Sequence, residues 1–165
     1  MSTAVIIRRA SRKDARAVGE MAEKLVIQHR EYDAQRFSRL ARSEQMAWFY
    51  GSQTDTKDAA VLVAEIDGEI VGFAYIQFEA KNYADLLESA AWLHDIYVED
   101  AARRKNVGQS LLEASIGAAK ALGATKLLLT VAAQNEIARK FFGQNGFRKT
   151  MVEMMFDLTG QKEND

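Results

Sequence analysis

The segment that most constrains the fold runs from Leu93 to Leu112, where an apolar strand leads through a short polar loop into a helix. Three cations stand directly before that helix: Arg103, Arg104 and Lys105. The N-terminal end of a helix favours anions, so cations placed there indicate an anion lying among them. Open N–H groups, a glycine that allows close approach and flanking cations together form a phosphate site. A solvated basic loop, balanced by Glu99 and Asp100, explains the charges equally well.

The same loop carries a spacing, Arg103-x-x-Asn106-x-Gly108, that resembles the Arg/Gln-x-x-Gly-x-Gly/Ala loop of the GNAT superfamily of N-acetyltransferases. In that family the loop binds the pyrophosphate of acetyl-coenzyme A (acetyl-CoA). A later stretch resembles the second motif of the family: Asn135-x-x-Ala138-x-x-Phe141-Phe142-x-x-x-Gly146-Phe147. The resemblance covers about Ala90 to Leu158, and the two motifs in this order form a specific signal.

The resemblance implies a coenzyme A site on the loop and on the strand before it. Five consecutive backbone N–H groups would face the pyrophosphate, those of Asn106, Val107, Gly108, Gln109 and Ser110. The three cations would add charge-assisted hydrogen bonds, including to the ribose phosphate. The strand residues Ile96, Tyr97 and Val98 would splay from the strand at 126–131, so that the pantetheine arm pairs with their backbone and one N–H polarises the thioester carbonyl. Their side chains are expected to pack in the core.

Two positions depart from the family pattern. Asn106 stands where the family usually has its first glycine, and asparagine tolerates positive φ better than most residues. Phe142 stands where the family often has a tyrosine taken to be the general acid, and phenylalanine cannot donate a proton. The family places this residue beside the thioester sulfur, whereas its spacing to Gly146 and Phe147 predicts a Schellman helix end. Asn135 is expected to cap the last helix or to bind pantetheine.

An amine acceptor with a pKa near 10 arrives protonated, so a base is needed. His94 is the first candidate, because its ordinary pKa suits proton transfer near neutral pH, and Asp95 is the second. Strand alternation predicts that the two side chains point to opposite faces, so that only one enters the cleft, and a β-bulge would change which one does. Glu79 and Tyr97 are weaker candidates, and a half-buried structural role for His94 is equally compatible.

Composition excludes several classes of protein. The 165 residues fit one domain covering 1–165, and the net charge of −1 argues against a nucleic-acid or membrane partner. The chain has no cysteine, which excludes disulfides and thiolate chemistry, and its two histidines lack metal-ligand spacing, so no metal is expected. No run approaches the ~20 apolar residues of a membrane span, and a cytoplasmic location is expected.

Hydrophobic periodicity predicts the order β-α-α-β-β-β-α-β-α-β. The expected strands cover 5–8, 60–66, 69–79, 93–98, 126–131 and 151–158; the expected helices cover about 12–29, 37–48, 110–122 and 135–145. Asp67-Gly68 predicts a hairpin, 81–88 a polar connection that could be helical, and 126–131 a strand buried on both faces. The expected fold class is α/β (α+β), a mixed, mostly antiparallel sheet flanked by helices, which is the GNAT fold.

The resulting hypothesis is an N-acetyltransferase that moves an acetyl group from acetyl-CoA to a primary amine of a small molecule or protein, by direct attack in a ternary complex. The alternative is a non-catalytic acyl-CoA-binding regulatory module, supported by Phe142. Family members often use the region corresponding to 28–37 as one wall of the acceptor site, and a plain polar loop is an equally good interpretation here. The apolar final strand could support a homodimer through Met151, Met154, Met155 and Phe156.

Overall fold

The computed structural model describes residues 4–160, in which five strands form one sheet in the order β1-β2-β3-β4-β5. In chain order the elements are β1 (Ile6–Arg9), α1 (Ala15–Tyr32), α2 (Ser43–Gln53), β2 (Ala59–Ile66), β3 (Glu69–Glu79), β4 (Ala90–Val98), α3 (Val107–Ala121), β5 (Leu127–Leu128) and α4 (Glu136–Gln144). The first four strands pair antiparallel, and β5 pairs parallel to β4. The mixed, mostly antiparallel sheet predicted from the sequence is confirmed.

The hairpin between β2 and β3 forms at the turn that the sequence Asp67-Gly68 predicts. Asp67 and Gly68 have φ values of 52° and 81°, which is the left-handed pair that a two-residue type I′ turn requires. The turn pairs Ile66 with Glu69 and Glu65 with Ile70, and a β-bulge at Val71 then shifts the register by one residue, so that Val63 pairs with Phe73 at the centre of the sheet. The predicted hairpin and the bounds of its return strand are therefore confirmed.

Helices cover both faces of the sheet, and each face has its own core. Helices α3 and α4 pack on one face around Ile76, Leu111 and Leu112. Helices α1 and α2 pack on the other face around a second cluster that includes Val18, Phe73 and Tyr75. The first two helices approach closely at Gly19, where an added Cβ would lie 2.5 Å from the carbonyl oxygen of Ser43.

Two connections differ from the sequence-based expectation because local polar side chains compete with helix formation. Helix α2 begins at Ser43 rather than near residue 37, since the Asp33 carboxylate accepts hydrogen bonds from the backbone N–H groups of Gln35 and Arg36 and closes a turn there. The connection at 81–88 is not helical. The Asn82 side chain accepts from the Ala84 N–H, and Asn82 forms an isolated bridge with Leu87.

The C-terminal third departs most from the prediction. The apolar run at 126–131 forms a strand only at Leu127–Leu128, and both residues are half-buried rather than buried on both faces. The stretch 151–158 contains no strand, and its large apolar side chains are exposed. Both predictions were wrong because a strand needs a hydrogen-bonding neighbour. The run at 126–131 loses its neighbour where β5 separates from β4 after two residue pairs, and 151–158 pairs with no strand within residues 4–160.

Candidate active site

The loop before α3 forms the expected opening for an anion. Arg104 and Asn106 have φ values of 67° and 63°, so asparagine does supply the left-handed conformation at the position where the family has glycine. Helix α3 starts at Val107, three residues earlier than predicted, and the N–H of Ser110 is the first that reaches a helix carbonyl, that of Asn106 at 3.1 Å. The N–H groups of Val107, Gly108 and Gln109 precede it and leave the helix end open.

Gly108 has space above it that the protein itself does not fill. An added Cβ at Gly108 would have Phe141 Cζ as its nearest neighbour, at 4.0 Å. The fold therefore does not demand glycine at this position. The three open N–H groups and this free space fit an anionic ligand that approaches the backbone closely.

The three cations of the loop differ in their surroundings. The Arg103 guanidinium turns back, 2.9 Å from an Asp100 carboxylate oxygen, and its Nε lies 3.4 Å from the Val98 carbonyl oxygen. Glu99, the other nearby acid, pairs with Lys24 on α1. Arg104 and Lys105 are exposed and have no carboxylate partner among residues 4–160. The charge available to an anion therefore comes mainly from Arg104 and Lys105.

Strands β4 and β5 separate after two residue pairs. The ladder joins Ala91 to Leu127 and Trp92 to Leu128 and then ends. Within residues 4–160 the rest of β4 therefore has a hydrogen-bonded neighbour only on the β3 side. The predicted splay is confirmed. The side chains of Ile96 and Val98 pack against the α3 core and that of Tyr97 lies in the opposite core, as expected.

A β-bulge in β4 determines where the two candidate bases point. Tyr75 pairs with Asp95, and the next residue of β3, Ile76, pairs with Leu93, so His94 is an extra residue in the ladder. The bulge cancels the alternation. His94 stacks on Tyr75, with ring centroids 5.6 Å apart, and Asp95 contacts Tyr50 of α2. Both side chains therefore lie on the α1–α2 face, and the expectation of opposite faces was wrong.

Asp95 and His94 have different partners on that face. The Tyr50 hydroxyl donates to the Asp95 carboxylate over 2.7 Å, yet burial outweighs this hydrogen bond and raises the pKa of Asp95. Burial and the neighbouring Asp95 charge also raise the pKa of Tyr50, so Tyr50 stays a donor. His94 Nε2 lies 2.6 Å from a Glu79 carboxylate oxygen, and its ring is stacked near both Tyr75 and Trp92.

A cavity of about 430 Å³ opens beside Asp95. Its wall comes from α1, from the connection between α1 and α2, and from α2: Ala22, Leu25, Val26, His29, Arg36, Phe37, Ser38, Arg39 and Met46. The cavity thus includes part of the 28–37 region suggested from the sequence. Tyr50, Arg39 and Met46 were missed, because no motif connects α2 to β4 and only packing brings them together.

The end of α4 follows the predicted capping pattern. Gly146 has φ of 89°, the Phe147 N–H donates to the Phe142 carbonyl, and the Gly146 N–H donates to the Gly143 carbonyl. These are the two hydrogen bonds of a Schellman motif. Phe142 is buried and its ring lies 5.6 Å from that of Phe147. At the other end of the helix, the Asn135 side chain accepts from the Ala138 N–H over 3.1 Å, as an N-cap does.

Residues 4–160 show neither a metal-ligand cluster nor a membrane-spanning helix. In this part of the chain no group of three or more histidine, cysteine or acidic residues could hold a metal ion. None of its helices combines the length and apolar character needed to cross a membrane.

A helix start with open N–H groups beside a separating pair of strands resembles the arrangement of an acyl-CoA-dependent transferase. The family model for the acetyltransferase (GNAT) family matches residues 23–147. The chain therefore belongs to the GNAT acetyltransferase family, whose members use acetyl-CoA.

Two curated relatives support the same family. The chain is 34% identical over 86 residues to the uncharacterized N-acetyltransferase YycN of Bacillus subtilis, an alignment that covers 52% of this chain and about half, 53%, of that protein. It is 31% identical over 132 residues to an N-alpha-acetyltransferase of Sulfurisphaera tokodaii, covering 76% of this chain and 79% of the relative.

Solved structures show the same fold at lower identity. A mutant of the BH1408 protein from Bacillus halodurans superposes with a TM-score of 0.79 at 20% identity, covering 93% of this chain and 99% of the other. The aminoglycoside N-acetyltransferase AAC(6')-Iy, solved in complex with CoA, gives 0.78 at 16% identity, covering 95% and 96%.

Proposed function

We propose that this chain transfers an acetyl group from acetyl-CoA to a primary amine that occupies the cavity beside Asp95, by direct attack within a ternary complex. The observation that carries the proposal is the β-bulge at His94. It directs two titratable side chains to the face that holds the cavity, beside the place where β4 separates from β5.

The coenzyme is assigned to the opening at α3. Its pyrophosphate would accept from the N–H groups of Val107, Gly108 and Gln109, with Arg104 and Lys105 nearby for its phosphates. Its pantetheine arm would take the open side of β4 along 96–98. Asn106, Ser110 and Arg103 shape this loop, and Asn135 and Phe142 sit on the neighbouring α4. The bound thioester supplies the activated acetyl group.

The amine needs a proton acceptor on the cavity side, and the structure favours Asp95 over the histidine ranked first from the sequence. Asp95 lines the cavity, and a raised pKa makes it a stronger base than an ordinary carboxylate. Its negative form also attracts the ammonium group of the acceptor. His94 is engaged by Glu79 and is not among the residues lining the cavity, which suits a supporting role beside Asp95.

The chain has no tyrosine at position 142 that could protonate the departing thiolate. Phe142 is used in the Schellman end of α4 and cannot donate a proton. Thiols have pKa values near 8–9, so a thiolate is an acceptable leaving group near neutral pH and can take its proton from water.

The acceptor is a primary amine of a small molecule or of a protein. A protein α-amino group is a reasonable first choice, because one relative is an N-alpha-acetyltransferase. A panel of peptides, polyamines and aminoglycosides with acetyl-CoA, monitored by thiol release, tests this range. Thiol release with none of them, together with intact coenzyme binding, would favour the regulatory acyl-CoA-binding module.

The coenzyme site is tested by a pair of substitutions in the same helix. Gly108→Val places methyl groups in the open space above the helix start and should weaken coenzyme A binding at least about tenfold in calorimetry, by blocking approach to the backbone. Gly117→Val is the control, because an added Cβ at Gly117 meets nothing within 4 Å. Equal affinities in the two variants would contradict the assignment.

A further inference from the structure

The charged side chains that line the cavity beside Asp95 come from two different parts of the chain. Asp95 lies on β4, in the sheet, whereas Arg36 and Arg39 lie on the connection between α1 and α2. Apolar side chains make up much of the remaining wall: Ala22, Leu25, Val26, Phe37 and Met46. A molecule in this cavity therefore meets an anion on one element, two cations on another, and an apolar surface.

The two arginines differ in how far their charge is already neutralised. Arg36 forms an ion pair with Glu153, and its guanidinium carbon lies 5.1 Å from the centre of the Phe37 ring. Arg39 is exposed and forms no ion pair with any of residues 4–160. The positive charge that is free to bind a ligand in the cavity is therefore chiefly that of Arg39.

His29 also lines the cavity, and it adds no negative charge that could neutralise Arg39. Its Nδ1 lies 2.8 Å from the Leu25 carbonyl oxygen, which can only accept, so Nδ1 carries a proton. The ring stands edge-on to Phe37, with centroids 4.9 Å apart, and this contact joins the end of α1 to the connection that carries the arginines. Asp95 and Arg39 are thus the two charged groups of the lining that lack an ion-pair partner within residues 4–160.

We propose that the amine acceptor carries a carboxylate, which binds Arg39 while the ammonium group of the acceptor lies at Asp95. The inference rests on the acetyl transfer proposed above and narrows its acceptor from any primary amine to an amino-carboxylate. A guanidinium holds a carboxylate through two parallel hydrogen bonds, so the contact orients the acceptor as well as attracting it. The volume of about 430 Å³ lies within the ~300–1,000 Å³ of small-ligand sites, which suits a free amino acid or the first residues of an acidic peptide.

The same arrangement disfavours two other kinds of amine. A polyamine would bring a second cation close to Arg39, and like charges in contact repel. An amine without a second charge would leave the Arg39 guanidinium in water and would gain nothing from it. The selectivity therefore comes from an attraction at one end of the cavity and a repulsion at the same place.

The first test compares acceptors that differ in the carboxylate alone, with acetyl-CoA as donor and thiol release as the measurement. Glycine and longer ω-amino acids are paired with unbranched alkylamines of the same length, and the peptide Ala-Glu-Ala-amide with Ala-Gln-Ala-amide. In at least one series the anionic member should have a kcat/KM at least about fivefold higher, and the series that responds identifies the source of the carboxylate. Equal values in both series overturn the inference and leave the acetyl transfer standing. Thiol release from no amine overturns the acetyl transfer and this inference with it.

The second test changes the charge at Arg39. Arg39→Gln should lower the ratio of kcat/KM between the anionic and the neutral member of a pair about three- to tenfold, mainly through KM. Arg42→Gln is the matched control, because Arg42 lies on the same connection, is exposed and does not line the cavity. Arg39→Glu should reverse the preference, so that a diamine becomes a better acceptor than an ω-amino acid. Coenzyme A affinity, measured by calorimetry, should be the same in all three variants.

Two results would overturn the assignment of Arg39. One is an equal change of the ratio in Arg39→Gln and Arg42→Gln, which would mean that only the net charge of the chain matters. The other is an equal loss of kcat/KM for the anionic and the neutral acceptor, which would mean that Arg39 supports the shape of the cavity and does not bind the carboxylate. Both variants change an exposed side chain, so neither result depends on a damaged core.

Discussion

Two carboxylates of the chain, Asp14 and Asp95, have contrasting surroundings. Asp14, in the turn after β1, accepts two hydrogen bonds from the Arg8 guanidinium and two from Ser11, through its backbone N–H and its hydroxyl. These donors lower the pKa of Asp14 to about 2. Asp95, in the bulge of β4, accepts a hydrogen bond from Tyr50 alone among residues 4–160, and burial raises its pKa.

The difference separates a structural carboxylate from a reactive one. At Asp14 a guanidinium offsets the cost of taking a charge out of water, so the charged form stabilises the fold. At Asp95 that cost is only partly offset, which is unfavourable for stability but leaves a carboxylate ready to take a proton beside a cavity. Four experiments test this contrast.

The largest expected effect is on catalysis. Asp95→Asn should lower kcat/KM for the amine by roughly 10²–10⁴, the range that a positioned base supplies, and should leave coenzyme A affinity unchanged. Asp14→Asn should keep activity within about threefold where the protein is folded. Steady-state thiol release measures both. A larger loss in His94→Gln than in Asp95→Asn would restore His94 as the base.

The second expected effect is on stability in acid. Asp14→Asn should lower the free energy of unfolding at pH 7 by about 1–2 kcal/mol, less than the full pKa shift implies because the Arg8 side chain is 38% exposed. The folded-state pKa of about 2 lies below the ordinary 3.8, so the stabilisation is present above pH 4 and is lost as the pH falls towards 2. Urea unfolding should show the same difference from the unmodified protein in the free energy of unfolding at pH 7 and pH 5, and a smaller difference at pH 3. A constant difference would mean that packing, not charge, explains the loss.

The third expected effect is on the pH dependence of the rate, through the hydrogen bond that Tyr50 donates to Asp95. Tyr50→Phe removes the only donor to this carboxylate within residues 4–160. Since that hydrogen bond lowers the pKa of Asp95, its loss should move the acidic limb of the pH–rate profile to higher pH. The rate at neutral pH should fall about three- to tenfold. Tyr75→Phe serves as the comparison, because the Tyr75 hydroxyl lies 3.0 Å from Gln53 and Gln77 oxygens rather than from Asp95. Unshifted limbs in both variants would remove the positioning role of Tyr50.

The smallest expected effect is also on stability, but it is a gain, whereas Asp14→Asn should cause a loss. Asp95→Asn should stabilise the protein at pH 7 by up to about 1 kcal/mol, because it removes a charge that is expensive to bury and keeps an oxygen for the Tyr50 hydroxyl. A raised folded-state pKa means that this gain should shrink as the pH falls and Asp95 becomes protonated. Thermal unfolding at pH 7 and pH 5 measures it. Destabilisation at both values would place Asp95 with Asp14 as a structural carboxylate.

Local signals predicted the elements whose geometry is decided within a few residues. The Asp67-Gly68 turn, the left-handed Asn106 and the Schellman end at Gly146 follow from backbone preferences of single residues. The bulge at His94 could not be predicted, because it depends on how β4 aligns with β3 across the sheet. The Asp95–Tyr50 hydrogen bond depends in turn on that bulge and on the packing of α2.

The amino-acid sequence alone determined the family, the left-handed turn at Asn106 before α3 and the choice of His94 and Asp95 as candidates, because these rest on residue types at short spacings. Tertiary structure decided which face each candidate occupies, which carboxylate is compensated by a cation, and why the final apolar stretch is no strand within its own chain. Those outcomes depend on partners distant in sequence, and long-range pairing and burial set them rather than local preference.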